Sequence, residues 1–216
     1  MIETMKNRVD KILIITSLLC LAPMILTVMI YDKLPDQVAV HWSISGVPNN
    51  FAPKAFAGFG MPLLFAVSNT VVYFVTNADP KRDNYAKVLV FIFKAIMPVF
   101  SLIIVPVTLL IAIGIEIDMS SHVPIFMGIL FIVVGNYFPK TKQNYTMGIK
   151  LPWTLHSEEN WNKTHRLAGY TWIIGGILII ISSLISAHNY ILNIILLVTL
   201  IVVPMVYSYL LYKKGI

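Results

Sequence analysis

The chain has 216 residues, of which 57% are hydrophobic and 12% charged, with a formal net charge of +6 and a single cysteine. A soluble domain carries about 25% charged residues because its surface faces water. Half that fraction, with a mean hydropathy of +0.79, excludes a water-soluble monomer, a disordered chain and a disulfide scaffold, and leaves an all-α integral membrane protein.

Taken in chain order, residues 12–31 form the first apolar run, behind Lys6, Arg8 and Lys11. Roughly 20 apolar residues in a helix cross the hydrocarbon core. This run lacks a small-x-small cleavage site, so a retained helix is expected and not a signal peptide. Residues 32–54 then leave the bilayer. Val38, Val40, Trp42 and Ile44 alternate with Gln37, Ala39, His41, Ser43 and Ser45, the period of a half-exposed strand. Gly46, Pro48, Asn49 and Asn50 supply turn chemistry. A small structured outer loop is expected here, with Trp42 as an interface anchor.

The second and third spans are expected at 56–76 and 88–115, and they hold Pro62, Pro98 and Pro106, read either as packing features or as gating kinks. The fourth, at 123–138, is short; Gly128 and Gly135 lie on one of its faces. The fifth, at 168–187, pairs Ser182 with Ser186 and Ser183 with Ala187 at a spacing that lets helices approach closely. The sixth is expected at 190–212. Asn69 and Asn136 are candidates for lining a polar cavity. The span centres carry no ionisable side chain, which counts against an ion-coupled transporter or pump.

Before the fifth span lies a long inner loop. Gly148 and Pro152 punctuate it, after which Ser157 is the expected N-cap of a helix with Glu158 and Glu159 in its first turn. Glu159 and Lys163 make a helix pair. Trp161, His165, Ala168 and Trp172 share one face, while Asn162, Lys163 and Arg166 take another, which predicts an amphipathic helix lying at the interface.

Six spans with both termini inside place fourteen of the 16 basic residues in cytoplasmic segments and leave only Lys33 and Lys54 outside. Lys and Arg resist translocation, so that split fixes an N-in, C-in topology. Lys94, a turn or two into the third span, is expected to snorkel to the inner interface. The positive charge thus records orientation, and nucleic-acid binding is not expected. The division expected is 1–77 with the structured outer loop 32–54, then 78–138, then 139–216. None of His41, His122, His156, His165 and His188 sits in a metal-ligand spacing. The adjacent Glu158 and Glu159 diverge by about 100° on a helix and make a poor acid/base pair. No cofactor motif and no case for an enzyme emerge.

The inner segments Gly135-Asn136-Tyr137, Pro139-Lys140, Asn144-Tyr145, Gly148-Ile149-Lys150, Pro152-Trp153-Thr154-Leu155 and the run 161–169 resemble the core of the SdpI family of bacterial immunity proteins. The outer segment, from Leu34-Pro35 through Val40-His41-Trp42 to Gly46 and Pro48, resembles the domain of unknown function that precedes that core in the family. The resemblance implies a multi-pass protein of the bacterial cell membrane that protects its cell from a secreted SdpC-like toxic peptide. It also implies a receptor that holds an SdpR-like repressor at the membrane. Pro35, His41, Trp42, Gly46 and Pro48 are then the candidates for facing the toxin. Asn144, Gly148, Lys150, Pro152, Trp153, Trp161, Lys163, His165, Arg166 and Gly169 are the candidates for docking the inner partner. A small membrane transporter or channel is the alternative, and the oligomeric state stays open.

Overall fold

The computed structural model describes the backbone of residues 2–186 and 189–216, and the side chains of residues 11–186 and 189–216. His188, Ala187 as partner of Ser183, and the side chains of Lys6 and Arg8 lie outside the described residues. The order of elements is α1 (Ile2–Leu21), α2 (Pro23–Ile30), β1 (Gln37–Trp42), β2 (Pro48–Pro53), α3 (Met61–Ala78), α4 (Lys87–Ala112), α5 (Met119–Tyr137), α6 (Pro152–His156), α7 (Glu158–Ile185) and α8 (Tyr190–Lys213). Among the described residues six segments are long and apolar enough to cross a membrane: Lys11–Lys33, Phe56–Ala78, Lys87–Ala112, Met119–Lys140, Glu158–Ile185 and Tyr190–Lys213.

Two compact units divide the chain. The first holds α1, α2, the β-hairpin, α3 and the body of α4. Its helices are tied by polar side chains, each of which removes a donor that lipid could not satisfy. Thr27 Oγ1 donates to the Gly58 carbonyl (2.9 Å), Asn69 Nδ2 to Thr16 Oγ1 and Ser17 Oγ (2.9 and 3.2 Å), and Ser101 Oγ to the Cys20 carbonyl (2.6 Å). Leu34, Val105 and Leu109 form its buried apolar centre. Lys94 Nζ lies 5.1 Å from the centre of the Tyr73 ring. Pro98 and Pro106 sit inside α4, which runs unbroken, and Pro62 falls in the first turn of α3, just after a π-helical turn at Phe56–Gly60.

The second unit holds residues 78–90, α5, α6, α7 and α8, together with 44–46. Its centre is the crossing of α5 and α7, made by four glycines. A Cβ on Gly128 would stand 2.7 Å from the Gly176 carbonyl oxygen, and one on Gly176 would stand 2.6 Å from that of Gly128. Gly135 and Gly169 repeat the arrangement one heptad along, at 3.0 and 2.9 Å. The backbones touch, and only glycine leaves room for this. On the other side of α7, Trp172 Nε1 donates to the Leu200 carbonyl of α8 (3.0 Å), and Phe131, Ile179 and Leu200 fill the space.

Two expectations are corrected. The fourth span is not short, because Asp118 accepts from the Ser120 amide (3.0 Å) and starts α5 at Met119. The helix from Ser157 is not a separate interfacial element. Ser157 Oγ does accept from the Asn160 amide (3.1 Å), but α7 then continues without a break into the fifth span. Its Trp161, His165 and Ala168 face is buried against protein. Asn136 is exposed, and Asn69 donates to Thr16 and Ser17.

Candidate functional site

The loop from the 3-10 turn Phe138–Lys140 to Ser157 folds back on the first turns of α7, and His165 pins it there. The Ile149 amide donates to His165 Nε2 at 2.9 Å, so that nitrogen carries no proton. Nδ1, 2.8 Å from the Trp161 carbonyl, therefore bears the hydrogen and donates it. Both ring nitrogens are committed and the imidazole is held neutral. The ring stacks on Trp161 (4.0 Å between centroids, 19°) and meets the Phe138 ring edge-on (5.6 Å, 81°). Trp161 Nε1 in turn donates to the Thr141 carbonyl (2.7 Å). Gly148 passes beside His165 Nε2 and the Trp161 ring with φ +112°, where a Cβ would be both strained and obstructed.

Asn144 and Thr154 are satisfied from within the loop. Asn144 is fully buried; its Oδ1 accepts from the Thr146 and Met147 amides (3.0 and 2.7 Å) and its Nδ2 donates to the Lys142 carbonyl (2.9 Å). Thr154 Oγ1 lies 2.9 Å from both the Ile149 and Leu151 carbonyls and accepts from the Leu151 amide (2.8 Å). Asn160 joins α7 to α8 by accepting from Ser208 Oγ (2.6 Å) and donating to the Ser208 carbonyl (3.0 Å).

A second connector, at 79–86, is bound into the same loop. Asp79 is 5% exposed. It accepts from Tyr85 Oη (2.6 Å), Thr146 Oγ1 (2.8 Å) and the amides of Lys81 and Tyr145 (2.8 and 3.0 Å). Burial pushes its carboxyl up, but these four donated bonds outweigh burial and hold it below the usual carboxylate range. Burial, and then the bond to Asp79, push the Tyr85 phenol up to about 12. Lys81 Nζ donates to Gln143 Oε1 (2.6 Å), and Gln143 Nε2 donates to the Thr154 and Leu155 carbonyls (2.9 Å each). Sequence reasoning missed Asp79 and Gln143, which look like ordinary loop residues. The one sequence signal available was an acidic residue directly before Pro80, at the end of an apolar run.

Of the inner candidates, Asn144, Trp161, His165 and Gly169 are thus interior, and Gly148 and Trp153 are half-buried. Lys150, Pro152 and Arg166 are exposed, and Lys163 pairs with Glu159 (2.7 Å) across a solvated helix surface. The loop surface is therefore basic, on a hydrogen-bonded base.

In the first unit the loop 32–54 holds an antiparallel hairpin. Gln37 faces Pro53, Val38 faces Ala52, Ala39 faces Phe51, His41 faces Asn50 and Trp42 faces Pro48, with irregularities after Ala39 and His41. The turn spans 43–47, closed by the Ser43 amide donating to the Val47 carbonyl (2.8 Å), with Gly46 at φ +76°. Pro48, Asn49 and Asn50, expected in the turn, belong to β2. His41 Nδ1 is 2.6 Å from Asn49 Oδ1. Val38 is buried and Trp42 half-buried, whereas Pro35, His41 and Pro48 are exposed. Ile44, Val47 and Phe51 are also exposed, each by more than half of its surface. Among the described residues no group of three or more His, Cys, Asp or Glu is placed to hold a metal.

Six crossing helices, a polar knot at one end of α7 and a small hairpin between the first two spans define a polytopic membrane protein whose distinguishing residues lie in its loops. Residues 140–208 match the SdpI/YfhL protein family, and residues 18–66 match the domain of unknown function DUF1648, so the chain carries both segments anticipated from its loops. Over 211 residues it is 28% identical to the Immunity protein SdpI of Bacillus subtilis (strain 168), covering 97% of this chain and 98% of that one. It is a multi-pass bacterial membrane protein related to SdpI. No solved structure matches it.

Proposed function

We propose that the chain is a membrane immunity protein that protects its cell from a secreted SdpC-like toxic peptide, with both termini in the cytoplasm, and that it also retains an SdpR-like repressor at the membrane. The observation that carries this reading is the similarity, along nearly the whole of both chains, to a protein named for immunity. The loops support it from two sides. The hairpin offers exposed apolar side chains, Ile44, Val47 and Phe51, to a peptide arriving from outside. The inner loop offers Lys150 and Arg166 to a cytosolic partner, with Trp161 and His165 holding that surface from beneath. On this reading the protein is not an enzyme.

The test is a toxin challenge. Cells without the protein are killed by the cognate peptide and cells expressing it survive; equal killing with and without expression overturns immunity. For the second role, Arg166→Ala lowers repressor recovery in membranes while insertion stays normal. Recovery unaffected by Arg166→Ala and Lys150→Ala together would remove the docking surface. Reporter fusions at either terminus test the topology, and an external reporter at either end would refute it.

A further inference from the structure

Tyr145 stands out from a buried stretch: Gln143, Asn144 and Met147 are interior, whereas half of the Tyr145 surface is open. The backbone beneath it is fixed from both sides. Its amide donates to Asp79 Oδ2 (3.0 Å), the Asn144 side chain closes the turn over 144–147, and Asn84 Nδ2 donates to the Gln143 carbonyl (2.8 Å). Lys81 Nζ lies 5.2 Å from the centre of the Tyr145 ring and donates to Gln143 Oε1. A ring held in this way loses little conformational freedom when a partner binds on it, and tyrosine is among the side chains that anchor protein interfaces.

The exposed charge of this loop has one sign. From Phe138 to Ser157 it carries Lys140, Lys142 and Lys150 and no acidic residue. All three lysines are exposed, and among the described residues none of them is in an ion pair. Asp79, the acid bound to the Tyr145 amide, is buried with its carboxylate on four donors. An aromatic centre with a lysine rim is complementary to carboxylates flanking an apolar side chain. We propose that Tyr145, with Lys142 and Lys150, docks an acidic segment of a cytosolic protein, the ring receiving an apolar side chain of that segment. This rests on the reading that the loop holds a cytosolic partner at the membrane, and it gives that partner its chemistry. A ring that only anchored the chain among lipid headgroups would need no such fixed backbone, because lipid adapts to the ring.

Inside-out membrane vesicles carrying the full chain are mixed with the purified SdpR-like repressor, and its retention is measured per inserted protein. Wild type retains it, and retention falls as ionic strength rises from about 0.1 M to about 1 M, which shortens the screening length from about 10 Å to about 3 Å. Tyr145→Ala, which keeps the amide bond to Asp79, weakens retention about tenfold, and Tyr145→Phe leaves it unchanged. Lys142→Glu with Lys150→Glu weakens it about tenfold or more. No retention by wild type overturns the docking reading and this proposal with it. Retention by wild type that Tyr145→Ala leaves unaffected, or that the two charge reversals leave unchanged or strengthen, overturns this proposal alone. So does a Tyr145→Ala that lowers only the amount of inserted protein, since the ring is then a headgroup anchor. Should Tyr145→Ala not insert at all, the charge reversals decide by the same outcomes.

Discussion

The hairpin loop 32–54 and the loop 139–157 are connectors of similar length held by opposite means. In the hairpin, order comes from backbone pairing, and most of β2 faces solvent. In the second loop it comes from buried side chains: Thr141, Gln143, Asn144, Met147 and Thr154 are all interior, and the polar side chains of Thr141, Gln143, Asn144 and Thr154 all have partners. A hairpin of the first kind can change its exposed side chains with little effect on folding. A knot of the second kind cannot, because removing one partner leaves another polar group buried and unpaired. On the proposed function, a presenting surface and a fixed base are different tasks, divided between the two loops.

The contrast is open to test. The largest effect is expected from Gly148→Ala, which adds a Cβ at a positive φ against His165 and Trp161. Strain and overpacking together cost about 4 kcal/mol, read as a lower melting temperature of the detergent-solubilised protein. An unchanged melt would break the picture of a tightly built knot. Asp79→Asn comes next, at about 2 kcal/mol, because an amide can present only one acceptor oxygen to the four donors. It also changes the pH profile. The Asp79 carboxyl is held below its unfolded value, so its stabilisation is present above that value and is lost as pH falls through the folded one. Wild type therefore destabilises on acidification below about pH 4, and Asp79→Asn flattens that acid limb; parallel profiles would show that the carboxylate contributes nothing there.

His165→Phe is expected to cost about 1–2 kcal/mol, since it keeps the stack on Trp161 but leaves the Ile149 amide unpaired. Loss of amide protection at Ile149 in hydrogen exchange is the specific readout. Phe51→Ser in the hairpin should change stability by no more than about 0.5 kcal/mol, yet reduce survival in the toxin challenge. A large loss of stability instead would mean that the hairpin is also held by its side chains, and the distinction between the loops would fall.

Much of this was legible from residues alone where the signal was periodic or local. The apolar runs gave six spans, the Ser157 cap and the Glu159–Lys163 pair stood where expected, and the Val38 to Trp42 alternation became β1. The glycine spacing in α5 was visible, but its partner spacing in α7, Gly169 to Gly176, gains meaning only when the two helices cross. The amphipathic pattern from Trp161 to Trp172 marks a face but not its environment: periodicity says that a face is buried and does not say whether lipid headgroups or protein bury it.

By itself, then, the sequence determined what is set by transfer to a membrane and by neighbours a few residues away: the spans, their caps, a strand and the resemblance of the two loops to a known family. Only the tertiary structure decided what depends on contacts distant along the chain. It placed Asp79 under the donors of Tyr85, Tyr145 and Thr146, and it committed both nitrogens of His165 to backbone groups. A carboxylate or an imidazole in a loop reads alike whether solvated or buried, because its hydrogen-bond partners come from residues whose proximity the local sequence does not encode.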